Sequence, residues 1–242
     1  MEEQHDDHIG LFDLDGSLAG FDQQLLADLE LLRSPMETEA VFTDLRAKEW
    51  APWFKARIDL IKRQPGWWAN LPRIEKGFKV LQLAKDLEFD NRVVTKGPRT
   101  NSLAWKEKLE WVFNNADGID VTITFDKSNV YGKFLYDDYL PFCLKWLAHR
   151  RRGMVIMPVE RFDPAIDHPQ ILQFDGSNIK QVWAALIVCR RRKPHEAMVI
   201  PRLQGDVNRI VHENCDQLAS AGHTLADIAL ELSSPLNVSK HS

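Results

Sequence analysis

A short apolar run that stops at two carboxylates constrains this chain most: Ile9 to Leu14, followed by Asp15-Gly16-Ser17. Such a run, without polar alternation, reads as a strand buried on both faces, the mark of a parallel sheet. Function then belongs at its C-terminal end, where open α/β sheets bind ligands. Alternate residues of an extended chain point the same way, so Asp13 and Asp15 face one site. Gly16 lets the chain turn sharply just beyond them. Carboxylates this close repel each other unless a positive charge lies near. A magnesium ion, a hard cation that prefers oxygen ligands, is the natural candidate. The competing reading is a turn that uses Asp and Gly only as turn formers.

The later strands decide between the two readings. Arg92–Thr95, Ile119–Thr124 and Lys133–Tyr136 have the same character, and Gly153–Val159 reads as a fifth strand. Helical patterns over 75–87, 100–114 and 139–150 lie between them. Strands alternating with helices predict a parallel sheet covered on both faces. The second strand ends in the hydroxyl of Thr95, Lys127 follows the third, and Asp137-Asp138 follow the fourth. An acid pair, a hydroxyl, a lysine and a second acid pair at successive strand ends suit phosphoryl transfer. There a nucleophile is needed, and the rest is positioning and charge neutralisation.

The segment between the first two strands is far longer than a crossover requires. It predicts helices over 22–33 and 37–63, broken at Pro35, Pro65 and Gly66. We expect a helical cap over 21–69, inserted into a core of 8–20 and 70–190. Of the eight tryptophans, Trp50, Trp53, Trp67 and Trp68 fall in this insertion. Beyond the sheet, Ile179, Val182, Trp183 and Leu186 repeat at helical spacing and predict a helix over 175–189, capped by Asp175 or Ser177. Residues 191–242 read as an extension of unassigned role, with a helix over 205–220 and a frayed end.

The ordered strand ends resemble the four motifs of the haloacid dehalogenase superfamily, and within it the 5'(3')-deoxyribonucleotidases. The matching phrases are FDLDGSLAGF (12–21), PGWWANLPRIEKGFKVL (65–81), VVTKGP (93–98), EKLEWV (107–112), FDKSNVYGKFLYDDY (125–139) and the helix bearing Trp183. The resemblance spans about residues 8–190 and implies a Rossmann-like, three-layer α/β fold with the cap after the first strand. It implies that Asp13 attacks phosphorus and becomes an aspartyl-phosphate. Asp15 then protonates the leaving oxygen and later deprotonates water. Thr95 binds a phosphoryl oxygen and Lys127 offsets charge. Asp13, the Asp15 carbonyl and Asp138 hold Mg²⁺, with Asp137 in support. The implied reaction is hydrolysis of a phosphate monoester, first of all a nucleoside or deoxynucleoside monophosphate. A sugar phosphatase is the alternative on the same residues, and a non-catalytic binding domain is a third reading. Lys96 departs from the branch, which usually carries a small hydroxyl residue there, and it adds a positive charge for substrate binding. Gly20 stands where relatives often carry Asp.

Phe21, Trp67 and Trp68 are the expected base-stacking residues; cap packing is the competing role for large aromatics. Arg150-Arg151-Arg152 and Arg190-Arg191-Arg192-Lys193 both follow predicted helices, and we expect solvated cations at helix C-termini. A net charge of -4 argues against a nucleic-acid-coating protein, so no stable nucleic-acid binding is expected. No apolar run has the length to cross a bilayer. Cys143, Cys189 and Cys215 form no C-x-x-C pair and are expected to be reduced thiols in a cytoplasmic protein. A homodimer is left open. His5 and His8, with Asp6 and Asp7, read as a polar terminus rather than a metal site.

Overall fold

The computed structural model describes residues 8–37, 50–160, 163–193 and 195–220, the stretch 215–220 as backbone alone. Six strands form one sheet: β1 (Ile9–Phe12), β2 (Asp90–Lys96), β3 (Asp120–Thr124), β4 (Phe134–Tyr136), β5 (Met154–Pro158) and β6 (Ile171–Phe174). Their order is β3-β2-β1-β4-β5-β6, and every pairing is parallel. The helices are α1 (Phe21–Leu31), α2 (Pro52–Lys62), α3 (Glu75–Asp86), α4 (Ser102–Asn115), α5 (Leu140–His149), α6 (Ile179–Arg191) and α7 (Gln204–Ser220).

Neighbouring strand residues go to opposite faces, as the pleat requires. Phe12, Val93, Tyr136, Ile156 and Leu172 pack with Val80 and Leu81 of α3 and with Val182 and Leu186 of α6. Leu11, Val94, Leu135, Val155 and Ile171 pack with Cys143, Trp146 and Leu147 of α5. This is a three-layer α/β arrangement. The order of connections reverses between β1 and β4. At such a switch point the loops leaving the two strands diverge and open a crevice at their C-terminal ends.

Leu25 and Leu29 of α1, with Phe54, Ile58 and Ile61 of α2, belong to the same apolar cluster as Phe12 and Leu14. The expected helix over 37–63 is described only in its second half. There α2 begins at Pro52, whose fixed φ and missing N–H suit a first helical turn. Residues 38–49, and His5, Asp6 and Asp7, lie outside the described residues.

Two sequence expectations change. β6 was not expected: Ile-Leu-Gln-Phe is too short to show a period, and its pairing with β5 makes it a strand. The helix expected from Asp175 starts at Ile179. Asp175 Oδ1 instead accepts from the Ser177 amide (2.8 Å) and hydroxyl (2.7 Å), a turn ahead of the helix rather than its cap. Cys143 and Cys189 are free and buried; the Cys215 side chain lies outside the described residues. Within the extension, Ile210 and Val211 of α7 pack against Trp183 and Ile187 of α6. Among the described residues, no helix is long and apolar enough to cross a membrane.

Candidate active site

The loop after β1 is held by its own backbone. Asp13 N–H donates to the Tyr136 carbonyl (2.8 Å), extending the β1–β4 ladder by one residue. The Leu14 side chain is fully buried, so Asp13 and Asp15, on either side of it, turn the other way. Amides of Leu18 and Ala19 return to the Leu14 carbonyl at 2.9 and 2.8 Å. Gly16 has φ of 78°, and a Cβ there would lie 2.5 Å from Asp138 Oδ2. Glycine is therefore required twice over, by backbone angle and by the carboxylate above it.

Lys127 arrives from the turn after β3. Asp126 shapes that turn by accepting from the Ser128 amide (3.1 Å) and hydroxyl (2.6 Å). The Lys127 ammonium lies 2.6 Å from Asp13 Oδ1 and 2.6 Å from Asp137 Oδ2. Burial alone would lower its pKa, but the two facing carboxylates more than offset this and raise it. Asp137 is fully buried, and its Oδ1 accepts from the Tyr139 amide (2.9 Å). Burial and the nearby Asp13 push its pKa up to about 6, against the pull of Lys127.

The sequence reading assigns no role to Glu107 or Lys108 of EKLEWV, yet both are buried beside the cleft. On α4 they share a buried stripe with Ala104, Trp111 and Val112. Lys108 Nζ donates to Asp15 Oδ2 (2.5 Å), Thr95 Oγ1 (3.1 Å) and the Lys96 carbonyl (2.8 Å), and sits 4.7 Å from the Trp68 ring centre. Glu107 accepts from the amides of Gly66 (2.7 Å) and Trp68 (3.1 Å), fixing the segment that returns from the cap. Burial raises the Asp15 pKa, opposed by Lys108 and reinforced by Asp13. A quarter of the Asp15 side chain stays open to the cleft (26% exposed), but its Oδ1 is buried and lacks a hydrogen-bond partner. That oxygen is suited to carry a proton.

A cleft of about 720 Å³ opens over these groups, at the C-terminal ends of β1 and β4. Asp13, Asp15, Lys127 and Asp138 line it, as do Phe21, Trp68 and Lys96. Two expected site residues do not. Thr95 is fully buried and stands behind Lys108, whose hydrogen bond its hydroxyl accepts, so it reaches the cleft only through that lysine. Trp67 packs edge-on against Trp68 (ring centres 5.0 Å apart) behind the cleft wall and donates from Nε1 to Asp28 Oδ2 (2.6 Å), a packing position between α1 and the returning segment. Lys55, Arg99, Tyr139 and Phe142 also line the cleft. They come from two helices, α2 and α5, and two loops, and no local pattern in the sequence marks them.

The donor set suits a hard divalent cation. Carboxylate oxygens of Asp13, Asp137 and Asp138 lie within 4.8 Å of one another, and all-oxygen ligands favour Mg²⁺. Asp137 has both oxygens engaged, by Lys127 and the Tyr139 amide. Asp13 and Asp138 line the cleft and Asp137 does not, so the first two are the side chains placed to hold an ion, with Asp137 bracing Lys127 behind them.

No protein-family model matches this sequence, and no curated protein matches it. Several solved structures are similar to it, two of which follow. One is a HAD family hydrolase from Deinococcus radiodurans R1 with bound phosphate and sodium: 11% identity, TM-score 0.46, covering 74% of this chain and 96% of that one. The other is described as a haloacid dehalogenase-like hydrolase from Burkholderia xenovorans LB400: 16% identity, TM-score 0.45, covering 69% of this chain and 91% of that one.

Proposed function

We propose that this chain is a Mg²⁺-dependent phosphatase of the haloacid dehalogenase type, which hydrolyses nucleoside or deoxynucleoside monophosphates through an aspartyl-phosphate on Asp13. One observation carries the reading. Two carboxylates on one loop, two buried lysines and a further acid meet in a single cleft at the sheet's switch point, each lysine paired to a different carboxylate. A binding domain needs no such set of acids and buried lysines.

Asp13, held by Lys127, is the nucleophile: one carboxylate oxygen attacks phosphorus as the ester oxygen leaves. Asp15 gives that oxygen its proton, which a pKa raised by burial favours. It then takes a proton from the water that attacks phosphorus and releases Asp13. Lys127 and Lys108 place positive charge beside the phosphoryl oxygens. Thr95 acts behind them by orienting Lys108. Asp13, the Asp15 carbonyl and Asp138 would hold Mg²⁺, which supplies neutralisation of the phosphoryl charge. Phe21 and Trp68, whose ring centres are 5.3 Å apart, offer the base an aromatic wall, and Lys96 lies at the cleft edge.

The test is a phosphatase assay with Mg²⁺ across nucleoside 5'- and 3'-monophosphates and sugar phosphates. Faster turnover of nucleotides is the expected result. Preference for a sugar phosphate would keep the chemistry and overturn the substrate; hydrolysis of neither would overturn both.

A further inference from the structure

The cleft holds more positive charge than one reacting phosphate uses. Lys127 pairs with Asp13 and Lys108 with Asp15, both lysines buried. Lys55, Lys96 and Arg99 line the same cleft and are exposed. Among the described residues none of these three pairs with a carboxylate. The other acids of the cleft are Asp138, at the metal site, and Asp22, which follows Phe21 at the start of α1.

A braced loop and a helix tied to it carry the three cations. Lys96 ends β2, and Gly97-Pro98-Arg99 lead towards α4. Trp105 Nε1 donates to the Pro98 carbonyl (2.9 Å), and a Cβ on Gly97 would lie 2.2 Å from Trp105 Cε2, so the loop rests directly on that ring. Asn101 Nδ2 donates to the Lys62 carbonyl (2.9 Å) at the end of α2, the helix that carries Lys55. The Lys96 ammonium lies 5.3 Å from the centre of the Phe142 ring, and the Arg99 guanidinium 5.1 Å from that of Phe125. An aromatic face orients a cation without neutralising its charge.

We propose that the substrate is a nucleoside bisphosphate, with one phosphate presented to Asp13 and the second, on another ribose hydroxyl, held by Lys55, Lys96 and Arg99. This rests on the phosphatase reading above and narrows its substrate. A nucleoside monophosphate places its phosphate beside Lys108 and Lys127 and its base on Phe21 and Trp68, which leaves the three outer cations unused. A second phosphate engages them, since guanidinium and ammonium donors match its oxygens. Their exposed position, outside the buried Asp13–Lys127 pair, suits a phosphate separated from the first by the sugar rather than linked to it. The reaction is unchanged: water hydrolyses one ester, inorganic phosphate and a nucleoside monophosphate are released, and the second phosphate only binds.

Initial rates with Mg²⁺ on adenosine 3',5'-bisphosphate, the 5'- and 3'-monophosphates and the 5'-diphosphate test this. At low salt kcat/KM should be about tenfold or more higher for the bisphosphate than for the better monophosphate, and added salt should shrink this ratio. Arg99→Ala should lower the ratio by about threefold or more, and Arg99→Ala combined with Lys55→Ala should bring it near one. Arg151→Ala, just after α5 at the opposite end of the sheet, should leave the ratio intact and so separates local contact from the field of the whole protein. Each ratio is taken within one variant, so effects on folding or on the shared reaction cancel. A ratio near one in the unaltered protein, a ratio unmoved in Arg99→Ala, an equal fall in Arg151→Ala, or fastest turnover of the diphosphate would overturn the second-phosphate site alone. No hydrolysis of any of the four would overturn the phosphatase reading and this substrate together.

Discussion

The Lys108 ammonium, with 1% of its side chain exposed, lies 2.5 Å from Asp15 Oδ2 and is the strongest restraint on the proposed acid. Burial raises the Asp15 pKa and Lys108 opposes the rise. Replacing Lys108 with methionine, which keeps much of its volume, should raise that pKa further. An acid must be protonated to donate, so activity falls as pH rises through its pKa. The alkaline limb of the kcat/KM profile should therefore move to higher pH in Lys108→Met. A loss of kcat of about 10²-fold should accompany it, the lower end of what general acid–base catalysis supplies. An unmoved limb in a folded variant would reduce Lys108 to packing.

Gly16→Ala tests the contact between the loop and Asp138. A methyl group at φ of 78° is strained, and it would press on Asp138 Oδ2. The strain should cost about 1 kcal/mol or more of stability. Displacing Asp138 should raise the Mg²⁺ concentration for half-maximal activity by about tenfold or more, as for loss of a ligand's support. Metal titration of activity, with thermal melting in parallel, reads both. A normal Mg²⁺ requirement would place Asp138 outside the metal site.

The adjacent rings Trp67 and Trp68 should behave differently. Phe21→Ala and Trp68→Ala should raise KM for nucleotides by about 1–3 kcal/mol, the worth of a stacked base, and change hydrolysis of a small aryl phosphate much less. Trp67→Ala should lower stability by about 3–5 kcal/mol with little effect on KM, since its ring packs against Phe21 and Trp68 and its N–H is held by Asp28. Equal KM effects at all three positions would contradict the division.

Activity should depend on Mg²⁺ and fall when calcium replaces it, because Mg²⁺ keeps a tight octahedral shell while calcium expands its own. Steady-state rates in chelator, then with each metal added back, check this. Full activity in excess chelator would rule the metal out.

What the sequence made legible follows from how local each signal is. β1 and its two acids are read from an apolar run and a period of two, and the buried Leu14 between Asp13 and Asp15 follows from the same period. Lys127 and Asp137-Asp138 were found because parallel strands end on one edge. β6 escaped because four residues carry no period. Glu107 and Lys108 escaped because charged helical residues ordinarily face water, yet Ala104, Trp111 and Val112 place them on the buried stripe. That spacing could have exposed them. Thr95 was identified by type, but its burial behind Lys108 depends on a helix that follows it in the chain. The opposite fates of Trp67 and Trp68 are set by the turn after Gly66 (φ 83°) and the grip of Glu107, neither of which composition encodes.

The central claim is that Asp13 is the phosphoryl acceptor, and Asp13→Asn tests it most directly. With Mg²⁺ and the best nucleotide substrate, kcat of the folded variant should fall to background, because a nucleophile acting within a constellation takes most of the rate with it. Near-normal kcat in Asp13→Asn, with the fold verified by circular dichroism, would contradict the covalent mechanism.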